Sequence, residues 1–131
     1  MRIGGKVVSG MGQGSKFFLL AGYRLGFTKL LGVEPFAGTL NIDIGRENAS
    51  KMQRVLDCAE LKVSGFEQNG RRYYDVRCVR ADVCGVEGLL IFPHLNHHPP
   101  NILEFVCAQN LREKYELTNG KRVDLNIYVE D

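Results

Sequence analysis

Polar and apolar residues alternate most cleanly near the C-terminus, where Val123, Leu125, Ile127 and Val129 occupy every second position. That period of two predicts a strand with one buried face. Tyr74, Val76 and Cys78 alternate in the same way with Asp75 and Arg77, and Leu40, Ile42 and Ile44 share a face. Strands are accordingly predicted over Tyr73 to Val83 and Thr39 to Ile44. Further β-like segments run over Ile3 to Ser9, Phe17 to Leu20, Leu61 to Phe66, Gly88 to Pro93 and Ile102 to Cys107. Asn69-Gly70 predicts a hairpin between two of them, because both residues tolerate positive φ.

Two stretches break this rhythm. Tyr23, Phe27, Leu30 and Leu31 recur at helical spacing, and Gly32 followed by Pro35 predicts where that helix stops. Asn110 is placed to cap a second, short helix, with Glu113 completing a capping box and Thr118-Asn119-Gly120 closing it. Arg46 to Cys58 reads as a loop or short helix, and the polar stretch His94 to Asn101 as a connection. Six or more short strands with two or three short helices predict a mainly β fold, a small closed barrel. At 131 residues the chain is expected to form one domain over residues 1–131.

Composition narrows the function classes. Apolar residues make up 44% and charged residues 24%, ordinary for a folded globular chain. The net charge of +2 lacks the concentrated basic character of a nucleic-acid binder, and the cluster Arg71-Arg72, Arg77 and Arg80 reads as a solvated hairpin face. No apolar run reaches membrane-spanning length, and the first residues lack an apolar leader. A cytoplasmic monomer without nucleic-acid or membrane partners is the expectation. Cys58, Cys78, Cys84 and Cys107 show no C-x-x-C spacing, and Cys78 and Cys107 fall in apolar runs as small hydrophobes do.

Four segments carry candidate chemistry. Gly10-Met11-Gly12-Gln13-Gly14-Ser15 follows a strand; its alternating glycines let successive N–H groups converge on an anion, although a plain turn is the commoner reading. In Pro35-Phe36-Ala37-Gly38-Thr39-Leu40-Asn41, Thr39 and Asn41 lie two apart on a strand and present neutral oxygens to one side. Such donors suit Mg²⁺ when phosphates bring the negative charge; without that context Asn41 reads as a turn residue. Glu104 interrupts an apolar run and shares a face with Ile102 and Val106, so it is either at a solvated rim or held in a pocket. Asn110-Leu111-Arg112-Glu113 places an arginine in a first helical turn, where capping explains Asn110 and Glu113 but not Arg112. The adjacent His97 and His98 lack a third ligand at recognisable spacing.

Gly5 to Gly14, Pro35 to Asn41, His98-Pro99-Pro100 and Asn110 to Glu113, in this order and spacing, resemble the archaeal-type CTP-dependent riboflavin kinases. The resemblance implies a cradle-loop barrel that converts CTP and riboflavin to CDP and FMN with Mg²⁺. It implies nucleotide contacts from Gly10, Met11, Gly12, Gln13, Gly14, Ser15, Asn110, Leu111, Arg112 and Glu113, and metal ligands Thr39 and Asn41. It further implies flavin contacts from Asn96 and Glu104, with Glu104 on the acceptor side of the reaction as base or positioning group. Gln13 stands where an acidic residue is common in the family, and Asn96 where threonine is common. The DNA-binding extension of some relatives is expected to be absent. A non-catalytic flavin- or nucleotide-sensing barrel is the competing expectation, since one fold serves several functions.

Overall fold

The computed structural model describes residues 1–10, 18, 20–93 and 99–129. Among these residues the strands are β1 (Arg2–Val8), β2 (Leu40–Asp43), β3 (Leu61–Val63), β4 (Phe66–Gln68), β5 (Arg71–Tyr73), β6 (Val76–Val83), β7 (Val86–Pro93), β8 (Ile102–Val106) and β9 (Arg122–Ile127). The helices are α1 (Ala21–Leu31), α2 (Gly45–Ala49), α3 (Met52–Asp57) and α4 (Leu111–Lys114).

Six strands close into an antiparallel barrel in the order β6-β7-β8-β2-β1-β9, with β9 returning to β6. The eight-residue β6 makes closure possible by dividing one edge between two partners. Its first residues pair with β3 (Leu61↔Cys78, Val63↔Val76) and its last with β9 (Ala81↔Ile127, Val83↔Leu125). Closure leaves no open edge in the ring itself.

The alternation in the sequence sorts side chains to the two sides of this wall. Ile3, Val7, Leu40, Ile42, Val79, Leu90, Leu103, Phe105, Leu125 and Ile127 fill the interior. A second apolar cluster lies outside, where α1 lays Tyr23 and Phe27 over Val63, Val76, Cys78, Leu89, Ile91 and Val106. Leu89, Leu90 and Ile91 are thus buried from both sides, which explains their unbroken apolar run. Full burial of a side chain such as Phe27 is worth about 1.5–3 kcal/mol.

Several expectations need correction. Phe18 is helical and buried in the outer cluster, and Leu20 directly precedes α1, so Phe17 to Leu20 is not a strand where it is described. The two long hairpin arms are each broken. A side chain at Gly65 would collide with the backbone at Tyr73 and Tyr74, so the chains cross closely there, and Asp75 Oδ1 accepts the Gly65 N–H at 2.6 Å. Beyond the break, β4 and β5 form a separate ribbon around Asn69 (φ 53°) and Gly70 (φ 76°), the predicted turn. A second such turn, Cys84 (φ 53°) and Gly85 (φ 76°), joins β6 to β7. Arg46 to Cys58 contains two short helices, and α4 ends at Lys114 rather than at Thr118-Asn119-Gly120, which instead turns the chain into β9.

The predicted stop of α1 holds. Gly32, at φ 75°, returns its N–H to the Thr28 carbonyl. Arg80 donates to the Leu30 carbonyl at the same end, whereas Arg77, on the other face of β6, donates to the Leu56 carbonyl in the last turn of α3. The basic cluster is therefore divided: Arg77 and Arg80 serve two helix ends, while Arg71 and Arg72 stay on the β4–β5 ribbon, over the Tyr73 ring and beside Glu67. All four cysteines are free; Cys78 and Cys107 are buried, and burial pushes the Cys78 thiol up to about 12.

Candidate active site

The barrel wall that carries the outer apolar cluster also carries the candidate residues. Register places Val8, Asn41, Glu104, Ile91 and Cys78 in one row across β1, β2, β8, β7 and β6. Cross-strand partners share a face, so Asn41 and Glu104 point outward, on the side away from Leu40 and Ile42. Ile91 and Cys78 continue the row under α1. Glu104 thus stands where a polar patch meets an apolar one.

Asn41 and Glu104, each 9% exposed, are the buried polar or charged side chains of the described residues, tyrosine apart. They are direct partners on adjacent strands. Thr39 joins them from just before β2, its hydroxyl donating to Glu104 Oε1 at 3.3 Å. The expectation that Thr39 and Asn41 face one side is met, and Glu104 is buried rather than at a solvated rim.

Asn41 Oδ1 is buried and has no hydrogen-bond donor among the described residues. Leaving such a carbonyl unsatisfied costs about 1–3 kcal/mol. Gly10 packs on the same amide: a Cβ there would collide with Asn41 Nδ2 and lie 2.8 Å from Cγ and 2.9 Å from Oδ1. The glycine is needed for this close approach, and it places the start of the glycine-rich segment directly against the amide. A neutral oxygen on Thr39, an unsatisfied oxygen on Asn41 and a nearby carboxylate form a donor set that fits a hard divalent cation.

The other candidates converge on the same region in part. Phe36, Gly38 and Thr39 line a small cleft with Asn110, Leu111 and Arg112, so the second and fourth segments meet. The Phe36 N–H bonds the Cys107 carbonyl at 2.9 Å, while its ring remains 41% exposed. Asn110 Oδ1 accepts the Glu113 N–H at 3.3 Å, the predicted cap, and Leu111 is buried. Arg112 donates to the carbonyls of Val8 and Leu117, each at 2.9 Å, and to Asn119 Oδ1 at 2.8 Å. Met11, Gly12, Gln13, Gly14, Ser15 and Asn96 lie outside the described residues.

Asp43 and Asn101 are absent from the sequence-based candidates yet border the site. Asp43 Oδ1 accepts from Asn101 Nδ2 at 2.8 Å and from the Gly45 N–H at 2.9 Å, and the Ile44 N–H bonds the Asn101 carbonyl. These bonds, the one from Asn101 first, hold the Asp43 carboxyl below its ordinary range. The signal was the spacing Asn41-x-Asp43, which repeats the polar face of β2. Hollows of about 350 and 550 Å³ elsewhere, one beside Lys62 and Arg72 and the other beside Arg2 and Asp124, include none of the site residues.

Comparison with known proteins supplies an independent line. The family described as CTP-dep_RFKase, domain of unknown function DUF120, matches residues 7–127. The chain is 38% identical over 124 residues to a riboflavin kinase of Ignicoccus hospitalis, covering 95% of this chain and 69% of that protein. It is 34% identical to a riboflavin kinase of Pyrobaculum islandicum, covering 99% and 62%, and 32% identical to one of Archaeoglobus fulgidus, covering 98% and 55%. The chain thus spans between about half and about two-thirds of the lengths of these relatives. No helix among the described residues is long and apolar enough to cross a membrane.

Proposed function

The chain belongs to the riboflavin kinase family, and on that premise we propose that it transfers the γ-phosphate of CTP to the 5′-hydroxyl of riboflavin, giving CDP and FMN. CTP as donor is suggested by the name of the matching family. The observation that carries the reading is the buried Asn41–Glu104 pair, with Thr39 bonded to the carboxylate and Asn41 Oδ1 without a donor among the described residues.

In this reading Thr39 and Asn41 hold Mg²⁺, their neutral oxygens leaving the negative charge to the phosphates. When bound, the ion supplies charge neutralisation for the phosphoryl group in transfer. Phosphoryl transfer depends mainly on such neutralisation and on in-line placement of the acceptor. Glu104 serves the acceptor: its carboxylate takes a hydrogen bond from the ribityl hydroxyl and aligns it for attack. The flavin contact is assigned to the Glu104 side of the site. Gly10 to Ser15 and Asn110 to Glu113 hold the nucleotide, Arg112 contributing chiefly by fixing the geometry between these segments.

FMN formation from riboflavin, CTP and Mg²⁺ tests the proposal. Flavin binding without turnover would instead support a sensing module. Against that alternative stands the buried Asn41 oxygen, which has no hydrogen-bond donor among the described residues and is of a type that suits a metal.

A further inference from the structure

Two residues outside every assigned contact set tie the two nucleotide segments together. Asn119, in the turn before β9, accepts from Arg112 Nη2 at 2.8 Å through Oδ1 and donates from Nδ2 to Ser9 Oγ at 2.8 Å. Ser9 immediately precedes Gly10, the residue packed on Asn41. Arg112 meanwhile donates to the carbonyl of Val8, the register partner of Asn41. The backbone repeats the link, with Gly120 N–H on the Val7 carbonyl at 2.7 Å and Val7 N–H on the Lys121 carbonyl at 2.9 Å. Arg112, Asn119 and Ser9 therefore form one continuous strut from the α4 turn to the start of the glycine-rich segment.

We infer that Asn119 and Ser9 are positioning residues for the donor nucleotide, holding the start of the glycine-rich segment at a fixed distance from Asn110 to Glu113. The inference rests on the nucleotide reading of those segments given above. Three of the N–H groups of Arg112 are spent inside the strut, so its side chain is already ordered before any phosphate arrives. A site whose two halves are held in advance loses less conformational freedom on binding, and the gain is in affinity. Riboflavin, on the far side of Glu104, is not served by this link. Asn119 has an ordinary negative φ, so alanine fits its backbone, and its exposed side chain fills no core.

The test is steady-state kinetics with CTP and riboflavin varied separately, on Asn119→Ala, Ser9→Ala, the double variant and Asn119→Asp. Asn119→Ala cuts two exposed hydrogen bonds and is expected to raise KM for CTP about three- to tenfold, at the modest end of their net worth, with KM for riboflavin and kcat within about twofold. The double variant is expected to be no worse than Asn119→Ala, because both changes cut one path. Asn119→Asp restores KM, since a carboxylate accepts from both Arg112 and the Ser9 hydroxyl. An unchanged KM for CTP in Asn119→Ala, an equal rise for riboflavin, or additive losses in the double variant would overturn the inference. Amide exchange at Gly120, bonded to Val7, reads the strut without nucleotide. It should accelerate about fivefold or more in Asn119→Ala, a loss within the range of one hydrogen bond, and an unchanged rate would overturn the strut itself. If the wild-type protein makes no FMN while this exchange still accelerates, the kinase reading fails and the strut stands.

Discussion

Asn41 and Glu104 face each other across β2 and β8 on the outside of the barrel, and both are buried. The Asn41 amide oxygen has no donor among the described residues, and a buried oxygen so left is a cost to the fold. Asn41→Leu removes that cost with a side chain of similar size. The variant is expected to be at least as stable as wild type in the absence of Mg²⁺, by about 1 kcal/mol, while turnover falls about a hundredfold or more. Urea unfolding and FMN assay on one preparation check both. Loss of stability together with unchanged turnover would remove Asn41 from the metal site.

Gly10 offers a steric counterpart. A methyl group there would press on the Asn41 amide, hardest on Nδ2, while Gly10 itself lies on the exposed side. Gly10→Ala is expected to lower turnover by roughly a hundredfold, the cost of moving a catalytic group by about 1 Å. Its melting temperature should stay close to wild type. A variant of normal activity would show that the amide moves freely.

Glu104→Gln keeps shape and a carbonyl acceptor but loses charge and basicity. A base role predicts a loss of roughly a hundredfold or more in turnover with little change in riboflavin affinity. A positioning role predicts a smaller loss shared between rate and affinity. Positioning is expected, because a loose phosphoryl-transfer transition state asks little of a base. Titration of riboflavin binding beside the rate measurement separates the two. Rate and affinity both unchanged would remove Glu104 from the acceptor site.

The barrel was legible because alternation is a local property. Leu40, Ile42 and Ile44 announce their face, as do Val123, Leu125 and Ile127. Asn69-Gly70 announced its turn, whereas Cys84-Gly85 did not, since cysteine is a rare occupant of a left-handed position. The broken hairpin arms were hidden for another reason: the crossing of Gly65 over Tyr73 and Tyr74 is a packing event with no local signature. The site divides in the same way. Thr39, Asn41 and Glu104 stood out as polar residues on otherwise apolar strands. The true partners of Arg112 did not, because Val8 lies 104 positions away and meets it only after the barrel closes.

Asp43 supplies a pH-dependent element. Bonds from Asn101 and the Gly45 amide lower its pKa in the fold, so its contribution is present above the ordinary carboxylate range. That contribution is lost as pH falls through the lowered value. Asp43→Ala is expected to cost about 1 kcal/mol at pH 7, a modest figure for a partly exposed charged acceptor. The difference from wild type should narrow between pH 7 and about pH 3, which lies below the ordinary aspartate value. Paired urea unfolding curves at the two pH values measure it; an equal difference at both would assign the effect to packing.

Donor choice bears most directly on the whole account. Purified protein is incubated with riboflavin and Mg²⁺ and, separately, CTP, ATP, GTP or UTP, and FMN is resolved from riboflavin by chromatography. FMN is expected with CTP, with a much lower yield from ATP and none when Mg²⁺ is chelated. No FMN with any of the four, while a known riboflavin kinase is active alongside, would contradict the enzyme reading, and equal or greater yield with ATP would contradict CTP as the donor.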